Sequence, residues 1–122
     1  GDNGARLWPP KLARNSPNEK PEVVAPGHKV PVIMIGEDCG GSEYCWGTSS
    51  GTSAATVFVT GALALLLQEN PGLNDATSSS NTEQIKDWIQ QSVAPQEGQD
   101  GHDNNYGYGL LQIQNLLNTA SA

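Results

Sequence analysis

Basic residues are scarce in this sequence and almost vanish after position 29. Arg6, Lys11, Arg14, Lys20 and Lys29 are five of the six Lys and Arg; residues 30–122 hold ten acids against Lys86 alone. Phosphate contacts need Lys and Arg, so nucleic acid is not an expected partner. The longest apolar run, Ala54 to Leu67, falls short of the roughly 18–20 residues of a membrane span, so no membrane partner is expected. There are only two cysteines, Cys39 and Cys45, and no suitably spaced His nearby, so a four-ligand zinc site cannot be completed. A phosphate-binding loop is excluded because no G-K-[ST] occurs.

What is present is a chain of 122 residues with 36% apolar content and 14 glycines, modest for an independent core. The acidity reads first as a solubility device, and second as the mark of a secreted enzyme from a saline environment. Gly1 is not an initiating methionine and no signal peptide precedes it, so a processed or nicked N-terminus is expected. Five residues separate Cys39 from Cys45, a span that can close a loop disulfide contributing about 2–3 kcal/mol; two unpaired buried thiols are the alternative. A disulfide would fit an oxidising compartment and secretion.

Local patterning divides the chain. Residues 1–19 are rich in Pro, Asn and polar groups, and Trp8-Pro9-Pro10 predicts irregular backbone. Glu22 to Ala25 reads as a short strand stopped by Pro26-Gly27, and Val30 to Ile35 as a second, with Pro31 near its start or on an edge. Gly36 to Tyr44 is then a hairpin-type loop. Eleven of the fourteen residues from Ala54 to Leu67 are apolar, which predicts a helix buried on nearly all sides, ended by Asn70-Pro71-Gly72. Ser80-x-x-Glu83 reads as a capping box opening a helix with Ile85, Trp88, Ile89 and Val93 on one face. A third helix starts near Leu110, its apolar side formed by Ile113, Leu116 and Leu117. The polar loop Gln96 to Tyr108 holds Asp100, Asp103, Asn104 and Asn105, an oxygen-rich stretch suited to calcium but without the spacing of an EF-hand. No other cofactor is expected.

The chemistry concentrates at Gly47-Thr48-Ser49-Ser50-Gly51-Thr52-Ser53-Ala54-Ala55-Thr56, directly ahead of the apolar helix. A serine at a helix N-terminus lies beside unpaired backbone N–H groups, where the developing oxyanion of acyl transfer is stabilised. The plainer reading makes Thr52 or Ser53 an N-cap. Ser53 stands in G-T-S-A-A and not in the G-x-S-x-G elbow of the α/β-hydrolases.

Gly51-Thr52-Ser53-Ala54-Ala55-Thr56 resembles the nucleophile motif G-T-S-x-A-x-P of the subtilisin-like serine peptidases. Lys20-Pro21-Glu22-Val23-Val24-Ala25-Pro26-Gly27 resembles that family's K-P-D-V-V-A-P-G segment. Tyr106-Gly107-Tyr108-Gly109-Leu110-Leu111 resembles its Y-G-x-G-x-[IL] signature. The three occur in the family's order over roughly residues 16–119. Val57 and Phe58 depart from the usual Pro and His, whereas Gly61 matches a family glycine position where close packing is expected.

The resemblance implies an α/β fold: residues 1–122 form the C-terminal segment of a parallel-sheet catalytic domain, with a buried central helix starting at the nucleophile. Residues 20–69 would supply strands, serine loop and central helix, and residues 70–122 surface helices. It also implies that Ser53 is the nucleophile, that Thr52 and Gly51 serve the oxyanion and substrate, and that Ser49 and Ser50 line the leaving-group side. The family's D-[ST]-G, H-G-T-H and oxyanion Asn motifs do not occur here, and neither His28 nor His102 carries the histidine motif. The expectation is a secreted serine endopeptidase, acting on protein or peptide, whose Asp, His and Asn come from a companion polypeptide of the same precursor. The alternative is a non-catalytic subtilase-like structural or interaction module.

Overall fold

A computed structural model describes residues 15, 16, 18–74 and 79–121; most of the irregular segment expected over 1–19, including Trp8-Pro9-Pro10, lies outside them. Contacts divide the chain into two units, Ala25–Thr60 and the pairing of Gly1–Val24 with Gly61–Ala122.

In the Ala25–Thr60 unit, the alternation of Val30-Pro31-Val32-Ile33-Met34-Ile35 produces strand β1 (Val30–Ile35). It pairs with β2 (Tyr44–Ser49) in an antiparallel register running from Val30↔Ser49 to Ile35↔Tyr44. A single turn of 3-10 helix, Gly36–Cys39, opens the connection between them. Cys39 and Cys45 form a disulfide, with Cα atoms 5.5 Å apart, closing the tip of the hairpin. The expected parallel sheet is therefore not what these strands form. A connection this short cannot make the crossover of a dozen or more residues that parallel neighbours require.

Helix α1 (Thr52–Glu69) bridges the division and is 18 residues long. It opens one residue ahead of Ser53. Its length and composition reach the threshold for a membrane span, which the sequence pattern alone had placed out of reach. Its burial also differs from expectation. Only Ala62 and Leu66 are buried among the described residues, while Val57 and Leu65 are exposed. A Cβ on Gly61 would meet open space, so that glycine answers to no close neighbour among the described residues. The apolar sequence made the helix, but the described chain covers one side of it.

The other unit contains α2 (Ser79–Ser92) and α3 (Ile113–Ser121), which pack together. Ile89 of α2 and Leu116 of α3 are buried with Ala62, Leu66 and Leu111. Ser80 is the second helical residue of α2 and not its cap, a shift within ordinary boundary uncertainty. The expected strand at Glu22 to Ala25 reduces to a single parallel bridge, Val24↔Leu110, and Leu110 also bridges Ala94 antiparallel. Leu111 N–H donates to Val24 O at 2.9 Å and Val24 N–H to Gly109 O at 3.0 Å, with Tyr108 N–H on Glu22 O at 2.8 Å. Lys86 of α2 reaches Asn18 Oδ1 at 3.0 Å and Glu22 Oε1 at 3.2 Å, and Lys20 pairs with the same Glu22 carboxylate.

Gly107 has φ +61° and its α-carbon stands against the Glu22 carbonyl, whereas Gly98 has φ +78° in open space. Gly98→Ala is expected to cost about 1–2 kcal/mol, from left-handed backbone alone. Gly107→Ala adds a collision with backbone and is expected to cost about 1–3 kcal/mol more, read as the difference in denaturant midpoint. Tyr108 donates its hydroxyl to Glu19 Oε1 at 3.1 Å; burial first, and then the Glu19 carboxylate, push its pKa up. The folded pKa lies above the unfolded one, so this contribution is complete below about pH 10 and disappears as pH rises through the folded value. Alkaline unfolding titrations of Tyr108→Phe should accordingly show a flatter loss of stability above that pH.

Candidate active site

The serine loop is positioned by the turn that precedes β1. Gly51 N–H donates to Gly27 O at 2.7 Å, and Lys29 N–H donates to Ser50 Oγ at 2.8 Å. Lys29 itself is at φ +50°, the left-handed conformation that directs its amide to Ser50. A Cβ on Gly27 would lie 2.8 Å from Gly51 O and 3.2 Å from Ala55 Cβ, so the turn and the start of α1 meet without room for a side chain. Gly51, at φ +134°, makes the reversal from β2 into α1. Ser50 and Gly51 alone separate strand from helix.

Ser53 is the second residue of α1 and is exposed. Its hydroxyl has no hydrogen-bond partner among the described residues. The first bond of the helical ladder is the Ala55 N–H donating to Gly51 O at 3.3 Å. The N–H groups of Thr52, Ser53 and Ala54 thus precede the helical ladder, free to meet negative charge with the macrodipole behind them. The next hydroxyls along the helix are spent internally: Thr56 Oγ1 donates to Thr52 O at 2.8 Å, and Thr60 Oγ1 to Thr56 O at 3.1 Å. Neither Thr52 nor Ser53 caps the helix through its side chain, so the exposed Ser53 hydroxyl is not engaged by the described residues.

One literal motif match was missed in the sequence. Gly47-Thr48-Ser49-Ser50-Gly51 also reads G-x-S-x-G. Ser49, however, is the last residue of β2, and among the described residues Lys29 is the only non-glycine with positive φ. The sharp, strained turn that such an elbow serine occupies is not found at Ser49.

The two histidines differ. His28 is exposed in the same unit as Ser53, with no hydrogen bond among the described residues. His102 lies in the other unit and is committed there. Its Nε2 donates to Pro21 O at 2.8 Å, its Nδ1 stands 3.5 Å from Glu19 Oε2, and its ring meets Tyr108 edge-on at 5.0 Å. In the polar loop, Asp103 Oδ1 accepts from the N–H groups of Asn105 and Tyr106 at 2.8 and 2.6 Å, an Asx turn that shapes the approach to Gly107. No group of three His, Cys, Asp or Glu placed to hold a metal occurs among the described residues.

Ser53 thus stands with an unpartnered hydroxyl on the first turn of an apolar helix, directly after a glycine-pinned loop. The model of the subtilase family (Peptidase_S8) matches residues 10–109 of this chain, and the chain belongs to that family. Among curated proteins, no relative matches it. Membership makes the chain protease-type and places it with the serine peptidases.

Two substitutions test the loop's anchoring. Gly27→Ala should displace the Gly51 carbonyl at a cost of about 1–3 kcal/mol. Ser50→Ala should leave stability within about 1 kcal/mol but speed exchange of the Lys29 amide, measured by hydrogen exchange with mass spectrometry.

Proposed function

We propose that this chain supplies the nucleophile of a serine endopeptidase, with Ser53 as the attacking residue. The observation that carries the reading is the unpartnered Ser53 hydroxyl at the start of α1, in a chain of the subtilase family. Ser53 Oγ forms a bond to the carbonyl carbon of a peptide while its proton passes to a histidine held by an aspartate. The Ser53 N–H donates to the oxyanion, and Thr52 supports that position through its hydroxyl. Gly51 lets substrate backbone approach without a Cβ. Collapse breaks the C–N bond, the histidine returns its proton to the leaving amine, and water then hydrolyses the acyl-enzyme through the same base. No cofactor enters this chemistry.

The aspartate, the histidine and the second oxyanion donor, an asparagine, come from a companion polypeptide of the same precursor. His102 is a poor substitute for that base, since Pro21 and Glu19 already occupy its ring nitrogens. The exposed apolar side of α1, with Val57 and Leu65 open to solvent, is the surface the companion covers. This makes α1 an interior helix of the assembled enzyme, a reading of its apolarity that calls for no membrane. The Cys39–Cys45 disulfide supports secretion as the destination.

Labelling of the native material with a serine-directed phosphonate, mapped by mass spectrometry, tests the proposal. Modification of Ser53, absent in Ser53→Ala, is the expected result and requires an assembled triad. Folded material that stays unlabelled in the companion's presence overturns it in favour of a non-catalytic subtilase-like module.

A further inference from the structure

Four large apolar side chains share one face of the β1–β2 hairpin and are left to solvent. Ile33 and Ile35 are 67% and 76% exposed, and Tyr44 and Trp46 are 67% and 77% exposed. The register makes them two direct cross-strand pairs, Ile33↔Trp46 and Ile35↔Tyr44, so they form one continuous patch. The opposite face holds the less exposed Val32, Met34, Cys45 and Gly47, with the Met34 side chain lying over Gly47. An apolar aromatic–aliphatic patch of this kind marks an interaction surface.

Charge indicates what kind of partner fits. Glu37, Asp38 and Glu43 surround the closed tip of the hairpin and are all exposed, and no Lys or Arg occurs from residue 30 to residue 49. That field repels anionic lipid, and a second copy of the chain brings the same acids; a basic polypeptide is attracted. Chain continuity indicates which polypeptide. Trp46 precedes Ser53 by seven residues, a separation of at most about 25 Å even if fully extended. A peptide lying on this face has its continuation within reach of the serine.

We propose that the outward face of the hairpin is a docking surface for a basic, apolar segment of the polypeptide substrate, away from the bond being cut. This rests on the assignment of Ser53 as nucleophile, although the binding itself does not involve that hydroxyl. Isoleucines and aromatics receive the apolar side chains of the bound segment, and the tip carboxylates pair with its Lys or Arg.

The test uses the full chain carrying Ser53→Ala, assembled with its companion where one is present, and a short synthetic peptide alternating Lys with Val. Calorimetric binding is expected, weakened about ten-fold or more by Trp46→Ser or Ile33→Ser. It should also weaken with rising salt and in a variant combining Glu37→Gln, Asp38→Asn and Glu43→Gln. All these positions are exposed, and circular dichroism checks that each variant remains folded. Equal binding of a peptide with Glu in place of Lys, or binding indifferent to Trp46 and Ile33, overturns the proposal. So does peptide binding that is absent while phosphatidylcholine vesicles bind, or while sedimentation shows self-association that Trp46→Ser abolishes. Intact peptide binding with an unlabelled wild-type Ser53 supports the docking surface and removes the catalytic reading alone. A labelled Ser53 without peptide binding does the reverse.

Discussion

The contact between Gly27 and Gly51 is the constraint on which the serine region depends. A donor and an acceptor 2.7 Å apart fix the loop, but the absence of a side chain at Gly27 is what allows the backbones to meet, while Gly51 contributes its positive φ. With that approach closed, Lys29 reaches Ser50, β1 runs antiparallel to β2, and Ser53 falls on the first turn of α1. The placing of Ser53 is thus prepared in part by glycines, which have no side chain to offer. A substitution at Gly27 acts on the serine through geometry, at a position far from it in sequence.

A similar economy governs the other unit. Gly107 and Gly109 both stand where a Cβ would enter neighbouring backbone, Glu22 in one case and Ala94 in the other. Through them the chain around residues 107–111 is bonded to Glu22 and Val24 on one side and to Ala94 on the other. Glu22 is then held from outside by Lys20 and Lys86, the only basic residue after position 29. The scarcity of positive charge makes that single lysine a structural residue, joined to both Asn18 and Glu22.

Much of this was legible in the sequence because short-range rules decide it. Val30 to Ile35 alternates and becomes a strand; Ala54 to Leu67 is continuously apolar and becomes a helix; Cys39 and Cys45 are close enough to bond and do. The family was legible too, from three motifs in order. What escaped were relationships. The direction of strand pairing is set by the length of the connection, and the family-based expectation of parallel strands outweighed that cue. The burial of α1 depends on neighbours that an apolar run cannot name, so Val57 and Leu65 were expected inside and stand outside. The second serine motif at Ser49 carried the right letters, and only its extended backbone separates it from an elbow.

The disulfide at the hairpin tip has a bearing on what a proteolytic nick can do. The segment from Gly40 to Glu43 is exposed, glycine-rich and the kind of loop that proteases nick readily. Because Cys39 and Cys45 lie on either side of it, a cut there leaves both halves of the chain covalently joined, with β1 still opposite β2. Such a nick would be invisible in a non-reducing gel and plain in a reducing one. A cut at this exposed loop would therefore cost the chain neither the strand pairing nor the path from that strand to Ser53.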